Sequence, residues 1–202
     1  MGLKLLPRDR SQQVLFGLFL AFLAGSCIAP PYPEYLLMQH VPTLLAACLL
    51  GYLSHRFTFS RLSFTAIITF LCLHTLGARY LYSYVPYDEW SQRFLGVSID
   101  QAFGSQRNHY DRLVHFSYGL LLAIPIQEFE RRHWRLSAGL ASLLAIECIL
   151  ATSAGYELIE WGIAVVFTPA FMRIVRGATL SVRQTQYVEA AVAIGTPLPR
   201  IL

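Results

Sequence analysis

The sequence predicts an all-α polytopic transmembrane helical bundle of five spans, with a sixth left open. Three observations predict it. Of the 202 residues, 55% are hydrophobic and only 14% are charged, where a soluble domain carries about a quarter charged residues. The deficit is concentrated in long apolar runs, which is the distribution a lipid-facing chain requires. The basic residues, fifteen Arg and one Lys, fall mostly between those runs.

The first run, Val14 to Ala29, follows Lys4, Arg8 and Arg10. A signal peptide has a similar outline, and Ala24-Gly25-Ser26-Cys27 resembles a lipoprotein cleavage site. The rest of the chain is too apolar for water, so a first anchor is the economical reading. The second run, Tyr35 to Leu53, contains Pro42, expected to kink it or to sit near its entrance. The third spans Leu62 to Tyr82, and the fourth Tyr110 to Gln127 with Pro125 near its end. The fifth, Leu136 to Phe167, would reach about 48 Å at about 1.5 Å per residue, against a hydrocarbon core of about 30 Å. It is expected either to break near Ser153-Ala154-Gly155 or to leave the bilayer at its far end. Residues 1–167 are thus read as the bundle and 168–202 as a C-terminal segment of undecided structure, since its apolar run, Val188 to Ile194, is too short to span.

Loop charge sets an expected orientation. Lys4, Arg8 and Arg10, then Arg56 and Arg61, then Arg131, Arg132 and Arg135 alternate with a first loop holding only Glu34 and a mixed third loop, Ser83 to His109. The sequence therefore predicts a multi-pass protein of a bacterial cytoplasmic (inner) membrane with its N-terminus cytoplasmic. Arg173, Arg176 and Arg183 conflict with five spans. The four cysteines lie in apolar runs without CxxC spacing and read as small packing residues. No Lys/Arg tract with interleaved aromatics points to nucleic acid; membrane lipids are the expected partners, and the sequence leaves the oligomeric state undetermined.

Ionisable groups inside apolar spans are costly and face a protein interior or a wet cavity. The alternating orientation brings those of three spans to one depth, the outer half: His74, Arg79 and Tyr80 on the third; Asp111, Arg112, His115 and Tyr118 on the fourth; Glu157 and Glu160 on the fifth, with Glu147 deeper. Asp111, His115 and Tyr118 share a helix face, as do Glu157 and Glu160, with Tyr156 beside Glu160. Asp111 is able to orient His115 by accepting from one ring nitrogen. Asp111, His115, Glu157 and Glu160 are the candidate catalytic set, and His74, Arg79, Arg112, Tyr118 and Tyr156 the candidate substrate-binding set. Two glutamates near a His and an Asp suit acid/base work or a divalent cation. No motif calls for any other cofactor, and no nucleophile–base pair is complete. The alternative is an interhelical ion-pair network, in which the carboxylates pair with His115, Arg112 or Arg79 and only lock the bundle. Tyr80, Tyr82, Tyr84, Tyr87 and Trp90 read as an interfacial aromatic belt.

The stretch from Asn108 to Gly119 (NHYDRLVHFSYG), followed by Glu147-Cys148 and by Tyr156 to Trp161 (YELIEW), resembles the YjdF family of bacterial inner-membrane proteins over roughly residues 10 to 167. More distantly, the Asp111-Arg112 and His115-Phe116 spacing with a later glutamate pair is similar to the VanZ-like membrane proteins, a group linked with glycopeptide-antibiotic resistance. The family pattern implies an acidic, Gly- and Trp-containing external segment after the fifth run and then a final span. Here that stretch carries Arg173, Arg176 and Arg183 with Glu189 as its acid. The function these features imply is a membrane protein with a polar pocket near the outer leaflet, binding or processing a lipid-linked or envelope substrate. The alternatives are a small transporter or proton-linked carrier and a purely structural subunit.

Overall fold

The computed structural model describes residues 6–197, and among these every regular element is helical: α1 (Arg10–Ser26), α2 (Pro33–Arg56), α3 (Arg61–Arg79), α4 (Tyr87–Leu95), α5 (Ile99–Ala102), α6 (Tyr110–His133), α7 (Ala138–Arg183) and α8 (Gln186–Ala193). The chain divides into two compact units, 1–150 and 151–202.

In the first unit α3 is central. It packs most extensively on α6, then on α1 and α2, and it buries Phe64, Ile68 and Leu71 along one flank. Its start is fixed by Ser60, whose hydroxyl accepts from the Ser63 amide at 3.2 Å. α1 begins where Asp9 accepts from the amides of Ser11 (2.9 Å) and Gln12 (3.2 Å). It turns Phe16, Phe19 and Leu23 inward at spacings of three and four, while Val14, Leu18 and Phe22 on the other side remain exposed. α2 starts with Pro33 in its first turn, where the missing N–H costs nothing. Pro42 lies inside it, and its buried face is made of His40, Thr43, Ala47, Leu50, Gly51 and Ser54. These faces close one core: Phe16, Phe19, Leu23, Ala47, Leu50, Phe64, Ile68 and Leu71.

A second cluster, Val85, Tyr110 and Val114, seats the start of α6 against α3 and the α3–α4 turn. The region expected to be an irregular loop holds α4 and α5, tied by Asp88. Its carboxylate accepts from the Ser98 hydroxyl and the Asp100 amide, both at 3.0 Å. The Asp100 amide, together with Ser98 and Gln92, holds the Asp88 carboxyl below its ordinary value. Tyr87 does not merely face an interface: its hydroxyl donates to Asp100 at 2.7 Å and accepts from the His109 amide at 3.1 Å.

Among the described residues three helices, α2, α3 and α7, are long and apolar enough to cross a membrane. α1 has 17 residues, and α6 carries Asp111 and Arg112 at its start and Glu128 to His133 at its end. α7 runs without interruption through Ser153, Ala154 and Gly155, so of the two alternatives the break there is not taken, and the helix continues past Phe167 to Arg183. Within the first unit α7 buries Ala141 and Ala145 and exposes Leu143, Ile146 and Leu150. The second unit holds the rest of α7, with Trp161, Val166, Phe171 and Met172 exposed. The turn into α8 is closed by the Thr185 amide donating to the Val182 carbonyl at 3.0 Å.

Candidate functional site

The polar groups of the first unit gather at the end where α1 and α3 finish and α2 and α6 begin. His40 on α2 meets α1 through Ser26, with Nε2 2.9 Å from the hydroxyl. Its Nδ1 lies 3.1 Å from the Leu36 carbonyl, which only accepts, so Nδ1 carries the hydrogen. In neutral His40, Nε2 then accepts from Ser26. A protonated His40 would donate there instead, and the Ser26 hydroxyl would turn fully to the Leu23 carbonyl, 2.6 Å away.

One turn further along α2, Thr43 lies 3.1 Å from Nδ1 of His74, and Nε2 of His74 lies 3.0 Å from the Tyr82 hydroxyl. Threonine and tyrosine hydroxyls both donate and accept, so His74 sits in a chain through which a proton is able to pass in either direction. The α3–α4 turn builds this contact. Leu81 and Tyr82 both adopt positive φ, 51° and 57°, a conformation that costs non-glycine residues energy. The Tyr82 amide donates back to the Gly77 carbonyl at 2.7 Å. The Tyr82 ring then lies over Gly77, where a Cβ would stand 2.5 Å from it; glycine is required by this close approach.

Arg79 closes α3 and donates to the carbonyls at the end of α1: Ser26, Ile28 (3.0 Å) and Ala29 (3.1 Å). A guanidinium there offsets the negative end of the α1 dipole. Within the first unit the partners of Arg79 are thus carbonyls, and no carboxylate is among them. Beside Arg79 opens a cavity of about 290 Å³ lined by Phe22, Gly25, Ser26, Leu76, Arg79, Tyr80 and Trp90. The Tyr80 and Trp90 rings meet edge to face at 5.9 Å.

Asp111 and His115, four apart on α6, approach to 3.6 Å, each about half exposed. Nη1 of Arg112 lies 3.2 Å from Nδ1 of His109, and Tyr118 packs edge-on against Phe70 with ring centroids 5.5 Å apart. The neighbouring motif residues are structural. Asn108 caps the α6 start by accepting from the Tyr110 amide and donating to Val85, while Tyr110 donates to the Leu73 carbonyl at 2.9 Å. Tyr156, Glu157 and Glu160 stand exposed on the second unit. No group of three or more His, Cys, Asp or Glu side chains suited to a metal occurs among the described residues. The sequence reading missed Ser26, His40, Thr43 and Tyr82; a His three residues before a Thr on an apolar helix was the available signal.

Residues 11–187 match the family described as "Predicted membrane protein (DUF2238)". The chain belongs to this family. It is 31% identical over 126 residues to the inner membrane protein YjdF of Escherichia coli, covering 62% of this chain and 56% of that protein. It is also 42% identical over 78 residues to a probable peptide ABC transporter permease protein, y4tQ, of Sinorhizobium fredii, covering 37% of this chain and 27% of that one. The chain thus spans about half of YjdF and about a quarter of the permease. No solved structure matches it. The family match passes Phe167 by twenty residues, beyond the reach of the motif resemblance and into the segment set apart from the bundle.

Proposed function

We propose that this protein is a multi-pass inner-membrane protein, N-terminus cytoplasmic, which holds the anionic head of a lipid-linked or envelope substrate at the outer end of its bundle. The observation that carries the reading is the cavity beside Arg79. A cation, two aromatic rings and the apolar Phe22 and Leu76 line one opening, a combination suited to a charged head on an apolar tail. The Ser26 that lines this cavity also contacts His40, so a titrating group lies one hydrogen bond from a bound anion. In this reading Asp111 and His115 serve as acid and base, with Arg112 and Tyr118 on the same helix, and Tyr156, Glu157 and Glu160 are candidate groups of the second unit.

The test uses a polyprenyl phosphate added to the detergent-solubilised chain, with Trp134 and Trp161 changed to Phe so that Trp90 reports alone. Saturable change in Trp90 emission, lost in Arg79→Gln and retained in Arg79→Lys, is expected; no saturable change ends the reading. Reporter fusions after Pro86 and after Arg132 should report opposite sides of the membrane, and equal signals overturn the orientation.

The second reading is a proton-linked carrier, favoured by the Thr43–His74–Tyr82 chain. The partial similarity to a probable peptide permease adds to it. Proton uptake by proteoliposomes that disappears in His74→Gln separates it from the first.

A further inference from the structure

The opposite end of the first unit carries a second cavity, about 490 Å³, between the start of α3 and the end of α6. It is lined by Ser60, Leu62, Ser63, Ile124, Gln127, Glu128, Arg131 and Arg132. Its one carboxylate is already committed. Glu128 accepts from the Ser60 amide (2.8 Å), from the Ser60 hydroxyl (2.6 Å) and from the Ser63 hydroxyl, and it pairs with Arg132 at 2.7 Å. Arg132 also donates to the Thr58 carbonyl at 2.6 Å. The Gln127 amide nitrogen is held by the Ser142 hydroxyl at 2.5 Å.

With Glu128 and Arg132 neutralising one another, the charge left in the lining is that of Arg131, which has no ion-pair partner among the described residues. Arg56 and Arg61 lie at the adjoining ends of α2 and α3 and add to the positive field. The lining is also divided by polarity. Leu62 and Ile124 supply its apolar portion, and the guanidiniums supply fork-shaped donors that match phosphate oxygens. A basic pocket between helices at the charged end of a membrane bundle suits a phosphate-bearing head group.

We propose that this cavity binds a phosphate anion, with Arg131 as its principal ligand and Arg132 contributing its remaining N–H groups. The source is either the head group of an anionic glycerophospholipid or soluble phosphate. This proposal is independent of the Arg79 site and of membrane orientation.

The full chain is placed in nanodiscs of mixed phosphatidylglycerol and phosphatidylcholine, and the lipid retained on extraction is counted by native mass spectrometry. Phosphatidylglycerol should be enriched on the protein, and Arg131→Gln should lower that enrichment about fivefold, the scale of one basic residue's pull on an anionic head group. Arg131→Lys should keep most of it. Ile124→Trp fills the apolar side and leaves the charges, so it should reduce retained lipid if the source is a lipid. A parallel titration with inorganic phosphate, read by ³¹P line broadening, should be unaffected by Ile124→Trp and lost in Arg131→Gln if the source is soluble phosphate. Either pattern supports a phosphate site and names its source. No enrichment together with no phosphate binding, or binding indifferent to Arg131→Gln in a variant that melts like the parent, overturns the proposal.

Discussion

The two ends of α3 are both tied by a charged side chain reaching between helices, yet the ties differ in kind. At the N-terminal end Glu128 of α6 takes hydrogen bonds from Ser60 and Ser63 and an ion pair from Arg132. At the C-terminal end Arg79 donates to the neutral carbonyls of Ser26, at the end of α1, and of Ile28 and Ala29 just beyond it, and the neighbouring histidines bond mainly to hydroxyls that both give and receive protons. Both ties oppose a helix dipole, an anion at the start of α3 and a cation at the end of α1. The first is complete, and a completed clamp of this kind fixes helices. The second leaves its own cation uncompensated, with movable protons beside an open cavity, whereas at the first end the cation left over is Arg131, outside the clamp. The contrast separates a clamp that fixes helices from a cation free to meet a ligand.

The largest expected effect breaks the completed clamp. Glu128→Ala removes an almost fully covered carboxylate, leaving Arg132 and two serines to seek water. Arg132 is about half exposed, so the loss comes mainly from the Ser60 and Ser63 hydrogen bonds, and about 2 kcal/mol is expected in detergent unfolding. Acid should act in the same direction. Burial alone pushes the Glu128 carboxyl up, but the Ser60 and Ser63 hydroxyls, the Ser60 amide and Arg132 outweigh it and hold it below its ordinary value. Its contribution is therefore whole above the unfolded glutamate value of about 4.3 and is lost as pH falls through the depressed folded value. Glu128→Gln should flatten that acid limb; an unchanged acid limb would show that other carboxylates dominate it.

At the other end, Gly77→Ala forces the Tyr82 ring away, because the new Cβ meets it at 2.5 Å. A cost of about 2 kcal/mol is expected for such overpacking. The diagnostic is that Tyr82→Phe, which removes only the hydroxyl, should change the His74 imidazole resonances in the same sense at much smaller cost in stability. If Gly77→Ala leaves those resonances in place, the turn does not position His74.

The helical class was legible in the sequence because apolar runs are a composition-level signal, and charge within those runs marks its carriers. His74 and Arg79 stood out for that reason, and so did Asp111 with His115, whose four-residue spacing does bring them to 3.6 Å. The partners were not legible. Nothing local says that His40 faces Ser26, since that depends on how α1 and α2 pack. Tyr82 reaches His74 only because two non-glycine residues take up positive φ, which side-chain pattern does not encode. Glu128, one residue past the fourth apolar run, carried no signal of its own, yet α6 brings it to the α3 start. The carbonyl partners of Arg79 were not legible either, because charge is visible in a sequence and carbonyls left open where a helix ends are not.

A smaller effect of opposite sign tests whether the basic end is otherwise satisfied. Glu130 is 4% exposed, and its Oε2 has no hydrogen-bond partner among the described residues. Leaving a covered polar oxygen unmatched is unfavourable. Glu130→Gln should raise stability by about 1 kcal/mol, read as a higher melting temperature in detergent. A fall would show that Glu130 has a partner of its own and that the clamp extends beyond Glu128.

The smallest expected effect concerns Asp111 and His115, and it bears most directly on function. Their 3.6 Å pair is about half exposed on both sides, and exposed pairs of this kind contribute roughly 0–1 kcal/mol. The first turn of α6 is held by other groups: Tyr110 reaches Leu73, and Asn108 caps the helix and ties it to Val85. His115→Ala should therefore shift stability by no more than about 0.5 kcal/mol in detergent unfolding. A fall in polyprenyl phosphate binding, or loss of a cellular phenotype, in that variant would then report on His115 itself and not on folding. If the melting curve instead drops by about 2 kcal/mol or more, well beyond the range for an exposed pair, the ion-pair-lock reading of these residues wins. The candidate site would then contract to the Arg79 end, with His40 and His74 as its titrating groups.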